Sequence, residues 1–483
     1  MNRTAFVAAV TTMVFAALPA RSDVDGFIVG VLEVEDARDA WEPNSLIPED
    51  RPGVVPLAGV LIELTPLTVP VVFDEFGQEV ASGQKVYART DRNGIFAVHW
   101  FDIADDFPVN VRMSVIWESP DIEDSTAIGA IDRPVFQHPP HRFAIRPGLF
   151  ARDTQLVDVV RIVNGHRLTI LQPLLVAQSD ASQAFLTGEE YYRRVIDGEN
   201  GRPSRLLSDR MTDVAIFINS DPLRGLAPDN RTVHLGAQAP VNEPYLLAHE
   251  ISHVANWNAY GFTLAPVIPL QYCRYGLIGC VPDGWGRDTQ EHERVAWHEG
   301  VADALAGLWL WDLHTPGEKP MPMGGFRRSG QGWFDDDDQP IVFIDLTADP
   351  RADLDGEALC EAGSAVATYR IPACHAGALW DMLDDPPDDD DVFSAGNAVT
   401  QSEVFSAFDD FRFSDCNLLA PNHCATEIGD DQLNHHDFAW NFIHPVPPPG
   451  DAEDSSLVRN PVAIREDGIE QVFQLNGITG GQR

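Results

Sequence analysis

Two imidazoles and a carboxylate stand together in Leu246-Leu247-Ala248-His249-Glu250-Ile251-Ser252-His253, in the order His-Glu-x-x-His. On a helix, His249 and His253 lie one turn apart and share a face. Two imidazoles at that spacing can hold one zinc ion. Glu250, next to His249, can then reach a water on that ion as general base. The five-residue pattern alone describes an ordinary amphipathic helix equally well. Its meaning depends on what the rest of the chain supplies.

The helix itself is signalled. Asn242, Glu243 and Pro244 offer a capping residue, then an acid and a proline for a first turn. Leu246, Leu247, Ile251, Val254 and Trp257 recur at helical spacing. A catalytic zinc also needs a third protein ligand and an open position. The extended pattern His-Glu-x-x-His-x-x-Gly-x-x-His does not supply it, because Asn256 stands at the glycine and Ala259 at the last histidine. The alternative is a glutamate from a second helix. Helical spacing resumes over Glu291–Leu310, where Val301, Ala302, Leu305 and Leu308 mark a mostly buried element. Within it Glu299 is the strongest candidate for the third ligand. Asp303, one turn further, can accept a hydrogen bond from the far nitrogen of a ligating histidine. Buried acids need partners, and a metal with its histidines provides them. His292, Glu293 and His298 are rival ligands, none followed by an acid at one turn.

With both segments in view, the chain resembles the gluzincins, the superfamily of thermolysin-like and fungalysin-like zinc metallopeptidases. His249-Glu250-Ile251-Ser252-His253 matches the first motif of that superfamily, and Glu299-Gly300-Val301-Ala302-Asp303 its glutamate-x-x-x-aspartate motif. The resemblance implies that His249, His253 and Glu299 bind Zn2+, that Glu250 is the base and that Asp303 supports the ligands. His375-Ala376-Gly377-Ala378-Leu379-Trp380 resembles the segment where fungalysin-like enzymes carry a histidine ahead of a helix. That implies a catalytic role for His375, donating to the oxyanion of the tetrahedral intermediate. The resemblance covers residues from about Asn242 to Asp384. The gap between the first two motifs is longer than in thermolysin, and no segment matches the substrate-binding edge strand. Peptide specificity, and the choice between endo- and exopeptidase, therefore do not carry over.

The rest of the chain must position these residues. It opens with Met1-Asn2-Arg3, an apolar run from Ala5 to Leu18, and small residues at Ala20 and Ser22. This reads as a secretory signal over 1–22 and an exported, secreted or periplasmic protein. From 23–163 the pattern is β-like. Phe27–Leu32, Val60–Leu64, Val71–Phe73 and Val109–Val115 read as strands, with Pro66 and Pro70 as breaks. Thr90-Asp91-Arg92-Asn93-Gly94-Ile95-Phe96 reads as a hairpin, since Asn-Gly suits positive φ angles. Pro56–Leu64 and this turn resemble the transthyretin-like or Cna-B-like modules of secreted bacterial proteins, which implies a β-sandwich. Over 164–445, Leu174–Val195 is helical in part, Val214–Ile218, Thr232–Gly236 and Ile341–Ile344 are strands, and Ala378–Leu383 and Ser402–Phe411 are helices. The residues between Gly261 and Gln290 read as a loop, and 446–483 as a polar tail. The expected architecture is thus multidomain: an N-terminal β-sandwich, then an α+β metallopeptidase domain with a helical C-terminal lobe.

Six cysteines fit an exported chain and fall into close pairs: Cys273 with Cys280, Cys360 with Cys374, and Cys416 with Cys424. Neighbour pairing is the expectation. The formal net charge is −41 over 483 residues, with Lys85 and Lys319 the only lysines. Such a surface repels nucleic acid and anionic membranes. No stretch beyond the leader is long and apolar enough to span a bilayer. The runs Asp335–Asp338 and Asp388–Asp391 read as solvated surface, with Ca2+ binding as the alternative. The expected partner is a protein or peptide substrate, and the oligomeric state is open. The competing function is an extracellular binding or adhesion protein whose metalloprotease-like domain is a zinc-stabilised scaffold. The intact Glu250 argues against it, because a structural zinc site needs no base and fills all four positions.

Overall fold

The clearest alternation in the chain, Val109 to Ile116, forms the middle of a sheet. Val111, Met113 and Val115 are buried while Arg112 faces solvent, the period-two pattern of a strand that covers a core. The structure is a computed structural model. It describes residues 26–40, 49–50, 53–67, 72–73, 79–80, 85–100, 109–120, 141–146, 154–162, 168–198, 211–220, 225–236, 244–259, 274–276, 279–281, 293–311, 320–322, 327–329, 332–334, 343–345, 372–383 and 471–472.

In chain order the main strands begin with β1 (Gly26–Glu35), β2 (Val54–Pro56), β3 (Leu61–Leu67), β4 (Val86–Arg89), β5 (Ile95–Trp100), β6 (Val109–Ile116) and β7 (Glu118–Pro120). They continue with β8 (His141–Arg146), β9 (Thr154–Ile162), β10 (Leu168–Ile170), β11 (Leu174–Val176), β12 (Val214–Ser220), β13 (Gly225–Asp229) and β14 (Thr232–Gly236). The helices are α1 (Asp180–Tyr191), α2 (Pro244–Ala259), α3 (Glu293–Leu310) and α4 (Pro372–Leu383).

Three larger sheets result, so the protein mixes several sheets with a few helices, as expected in outline. The first gathers round β1, which pairs antiparallel with β2 and β5 and parallel with β10 and β11. The second runs β9–β6–β3–β4, all antiparallel. The third runs β7–β8–β12–β14–β13. In it β8, β12 and β14 are parallel, and β13 is an antiparallel edge strand. Ile28 and Leu32 from the first sheet, Ile62 and Met113 from the second, and Phe143 and Ile216 from the third belong to one continuous buried cluster.

Several expectations are corrected here. The Thr90–Phe96 turn is not a hairpin. Among the described residues β4 pairs with β3 and β5 with β1, so the turn carries the chain from one sheet to the next. Asp91 Oδ1 accepts from the backbone N–H of Asn93 (2.9 Å) and Ile95 (2.8 Å), and only Gly94 takes a positive φ, 71°. Pro66 does not break its strand. It stands opposite Val111 in β3, beyond the Leu61–Leu64 stretch that pairs with β4. A proline there leaves no ladder position toward β4 unfilled. Nor do the sheets divide at residue 163. β7 and β8 precede it yet belong to the third sheet, and β10 and β11 follow it yet pair with β1. Apolar pattern marks where a strand is, not which strand it joins.

The helices depart from expectation mainly at their starts. Leu174–Val176 is strand, and α1 begins after Ser179, whose side chain accepts from the Ser182 N–H in a capping box. α1 then passes into a π-helical turn over Tyr192–Ile196. α4 starts at Pro372, before rather than after His375, and all twelve of its residues are buried. A proline in first position is a strong helix-start signal. The stretch Gly261–Gln290 contains a ribbon that pairs Arg274–Gly276 with Gly279–Val281. The strand expected at Ile341–Ile344 is found at Phe343–Asp345.

Cys374 is disulfide-bonded, and the side chain of its partner lies outside the described residues. So do the leader 1–22, Asn242 and Glu243, both aspartate runs, Ser402–Phe411, nearly all of the tail and the other cysteine side chains. Among the described residues no helix is long and apolar enough to cross a membrane.

Candidate metal centre

The third sheet and three helices assemble the site. α2 lies against β13 and β14 on one side and against α3 on another, and α3 in turn packs on α4. α1 supports α2 from behind, where the Tyr191 and Ser252 hydroxyls are 2.9 Å apart in the core. α1 is itself held to the end of β1 by buried Arg38, whose guanidinium donates to Asp36 (2.9 Å), Glu190 (3.1 Å) and Thr187 (3.3 Å).

On the facing surfaces of α2 and α3, three ligand atoms form a small triangle. His249 Nε2 is 3.1 Å from Glu299 Oε2 and 3.2 Å from His253 Nε2, and His253 Nε2 is 3.2 Å from Glu299 Oε2. All three residues are buried, and they form a group that could hold a metal ion. The edges suit such an ion. Ligand atoms roughly 2.0–2.2 Å from a tetrahedral zinc stand about 3.3–3.6 Å apart, slightly more than these distances. Two imidazole nitrogens and a carboxylate converging on one point are also a donor set that zinc prefers.

Behind the triangle, His249 Nδ1 donates to Asp303 Oδ1 at 2.8 Å, so Nε2 is the nitrogen turned toward Glu299 and His253. The same Asp303 oxygen accepts from the Tyr245 hydroxyl at 2.9 Å. Burial opposes a charged His249, but Asp303 and Glu299 outweigh it and hold the imidazole up to about 10. Burial alone would raise the Glu299 carboxyl, yet His253 and His249 bring it below the ordinary carboxylate range. The site thus attracts positive charge. Glu250 is as buried as Glu299, each 6 % exposed, but its carboxyl shifts the other way. Burial pushes its carboxyl up, and the pull of His253 and His249 does not fully reverse this. Two carboxylates on neighbouring helices are therefore tuned in opposite directions.

Glu250 faces the start of β13. A Cβ at Gly225 would run into Glu250 Oε1, so a side chain there would push the carboxylate or the strand aside. β13 is an edge strand of the third sheet that the sequence did not signal. Gly225, Pro228 and Asp229 are all poor strand formers, and a proline is tolerated at an edge. Tyr245 was also missed, although it stands four residues before His249 on the same helix face.

The structure brings together His249, His253, Glu299 and Asp303, with Glu250 alongside. It does not bring His375 into that group. His375 sits in the first turn of α4, fully buried, with its ring edge-on to Trp297 at 5.4 Å. A Cβ at Gly300 would collide with its Cβ. Trp297 lies on the side of α3 away from Glu299, so His375 fills the α3–α4 interface. Of the rival ligands, His298 is buried between Asn256, whose Nδ2 is 3.1 Å from His298 Nδ1, and Trp257. The side chains of His292 and Glu293 lie outside the described residues. Compared with known proteins, the chain matches no protein family, no curated protein and no solved structure.

Proposed function

We propose that the chain is an exported zinc metallopeptidase that hydrolyses peptide bonds. The observation that carries this reading is the buried triangle of His249, His253 and Glu299 with Glu250 beside it and Asp303 behind it. In this reading the first two sheets act as a β-sandwich, and the third sheet with α1–α4 acts as the peptidase lobe. Zinc, when bound, would supply Lewis-acid polarisation of a water and of the scissile carbonyl. Glu250 takes the proton from the attacking water and passes it to the leaving nitrogen. Its raised proton affinity, a consequence of burial, favours that acceptance. Asp303 keeps His249 in one tautomer and orientation. The edge strand β13 offers backbone groups for an extended peptide, laid beside the base at Gly225.

A structural zinc scaffold in a binding protein would have no use for a buried glutamate tuned upward next to its metal, which favours the peptidase. The test is cleavage of an unstructured casein-like substrate by the purified mature protein. The expected result is proteolysis that a chelator abolishes and added zinc restores. Stoichiometric zinc without cleavage of any unfolded protein would overturn the peptidase and leave the scaffold.

A further inference from the structure

Trp257 touches both His253 and the edge strand. Its ring lies nearly parallel to the His253 imidazole, with centroids 5.8 Å apart and 16° between planes. Its indole N–H donates to the backbone oxygen of Ala227 at 3.3 Å. That carbonyl sits where the β13–β14 ladder has a gap. The register pairs Gly225 with Leu235, Leu226 with His234 and Asp229 with Thr232, but shifts between Leu226 and Asp229. Pro228, inside the gap, has no N–H to donate. The middle of the strand is therefore fastened to α2 through Trp257. Further along, Asn258 Nδ2 donates to Asn230 O at 2.7 Å.

We propose that Trp257 is a positioning residue that ties His253 to β13, so that filling the metal site and ordering the edge strand are one coupled equilibrium. The ring face restrains the ligand imidazole, and the indole N–H restrains the strand. Anything that fixes one end stiffens the other, and the coupling is reciprocal. The inference rests on the metal centre and not on peptide hydrolysis. A tryptophan that served packing alone would need only its ring, so the N–H separates the two roles.

The test uses the full mature protein, either stripped with chelator or reloaded with zinc. Hydrogen exchange is followed over residues 225–229, and zinc affinity by competition with a chromophoric chelator. In the wild type, zinc is expected to slow exchange of this segment about 5-fold or more, the lower range of ordinary coupling. Trp257→Phe keeps a ring on His253 and should hold zinc within about threefold, yet its strand should exchange fast with or without zinc. Trp257→Leu should also weaken zinc by about 10-fold, as loss of an outer partner does. Equal zinc-dependent protection in the wild type and the Phe variant overturns the coupling, as does wild-type zinc affinity in a folded Leu variant. If the Leu variant does not fold, the Phe variant decides alone. A wild type that takes up no zinc overturns the metal centre itself, and the coupling with it, before any variant is compared.

Discussion

His249 Nδ1 lies 2.8 Å from Asp303 Oδ1, across the interface between α2 and α3. Because the aspartate can only accept, it fixes the histidine proton on Nδ1 and turns Nε2 toward Glu299 and His253. Asp303→Asn should therefore lower zinc affinity by about 10–100-fold, and Glu299→Ala by more, since it removes a ligand rather than a support. Chelator competition measures both. An Asp303→Asn variant that binds zinc like the wild type would remove the aspartate from the site's design.

Glu250→Gln keeps the volume of the base but cannot take a proton. Peptide hydrolysis should fall by roughly 10²–10⁴ with zinc content unchanged.

Gly225→Ala tests the same carboxylate from outside. The added methyl would meet Glu250 Oε1, so turnover should fall severalfold or more while zinc stays bound. Wild-type kinetics in this variant would mean that β13 can shift away from α2 freely.

A chain that begins at residue 164 should not fold alone. It lacks β7 and β8 of the third sheet, and it leaves β10 and β11 without β1. It also lacks Asp36 and Arg38, the anchor of α1. The expected result is no cooperative thermal transition for this fragment, against a single clear one for 23–483. A stably folded fragment would restore the boundary expected at 163.

The alkaline limit of stability should be set in part by two adjacent tyrosines. Burial pushes both phenols well above their ordinary value, partly offset by Ser252 at Tyr191 and by Arg142 at Tyr192. In the unfolded chain they titrate near about 10. Their folded-state values are raised, so their contribution is whole below pH of about 10 and is lost as pH climbs from there toward the folded values. The melting temperature should fall over that range, with phenolate absorbance from these two appearing only on unfolding. Phenolate absorbance from all eight tyrosines in the native protein just above pH 10 would contradict this.

The candidate metal group was more legible in the sequence than the fold was. His249, Glu250 and His253 declare themselves because helical spacing is local, and Asp303 follows Glu299 for the same reason. Which glutamate would meet which histidine was a long-range matter, decided by α2 and α3 lying face to face. Strand existence was read correctly at Phe27–Leu32, Val109–Val115, Val214–Ile218 and Thr232–Gly236, where apolar residues repeat. Strand partners were not, because one alternating strand fits any sheet of matching register. β13 went unread because glycine, proline and aspartate resemble a turn. His375 was expected beside the metal group because of the company of its neighbours, whereas Pro372 already marked an earlier helix start that carries it into the α3–α4 interface.

The partners of β1 also fix an order of events in time. Phe27 pairs with His99 early in the chain, but its parallel neighbour Leu168 comes much later, as does Leu174 for Leu32. One flank of the first strand must therefore wait, exposed, until the whole amino-terminal third has been made. Pairings this distant make folding slow and leave sticky edges open meanwhile. The helix with the two histidines is made after these strands, and Glu299 later still, so the group that could hold a metal closes late in the molecule's assembly.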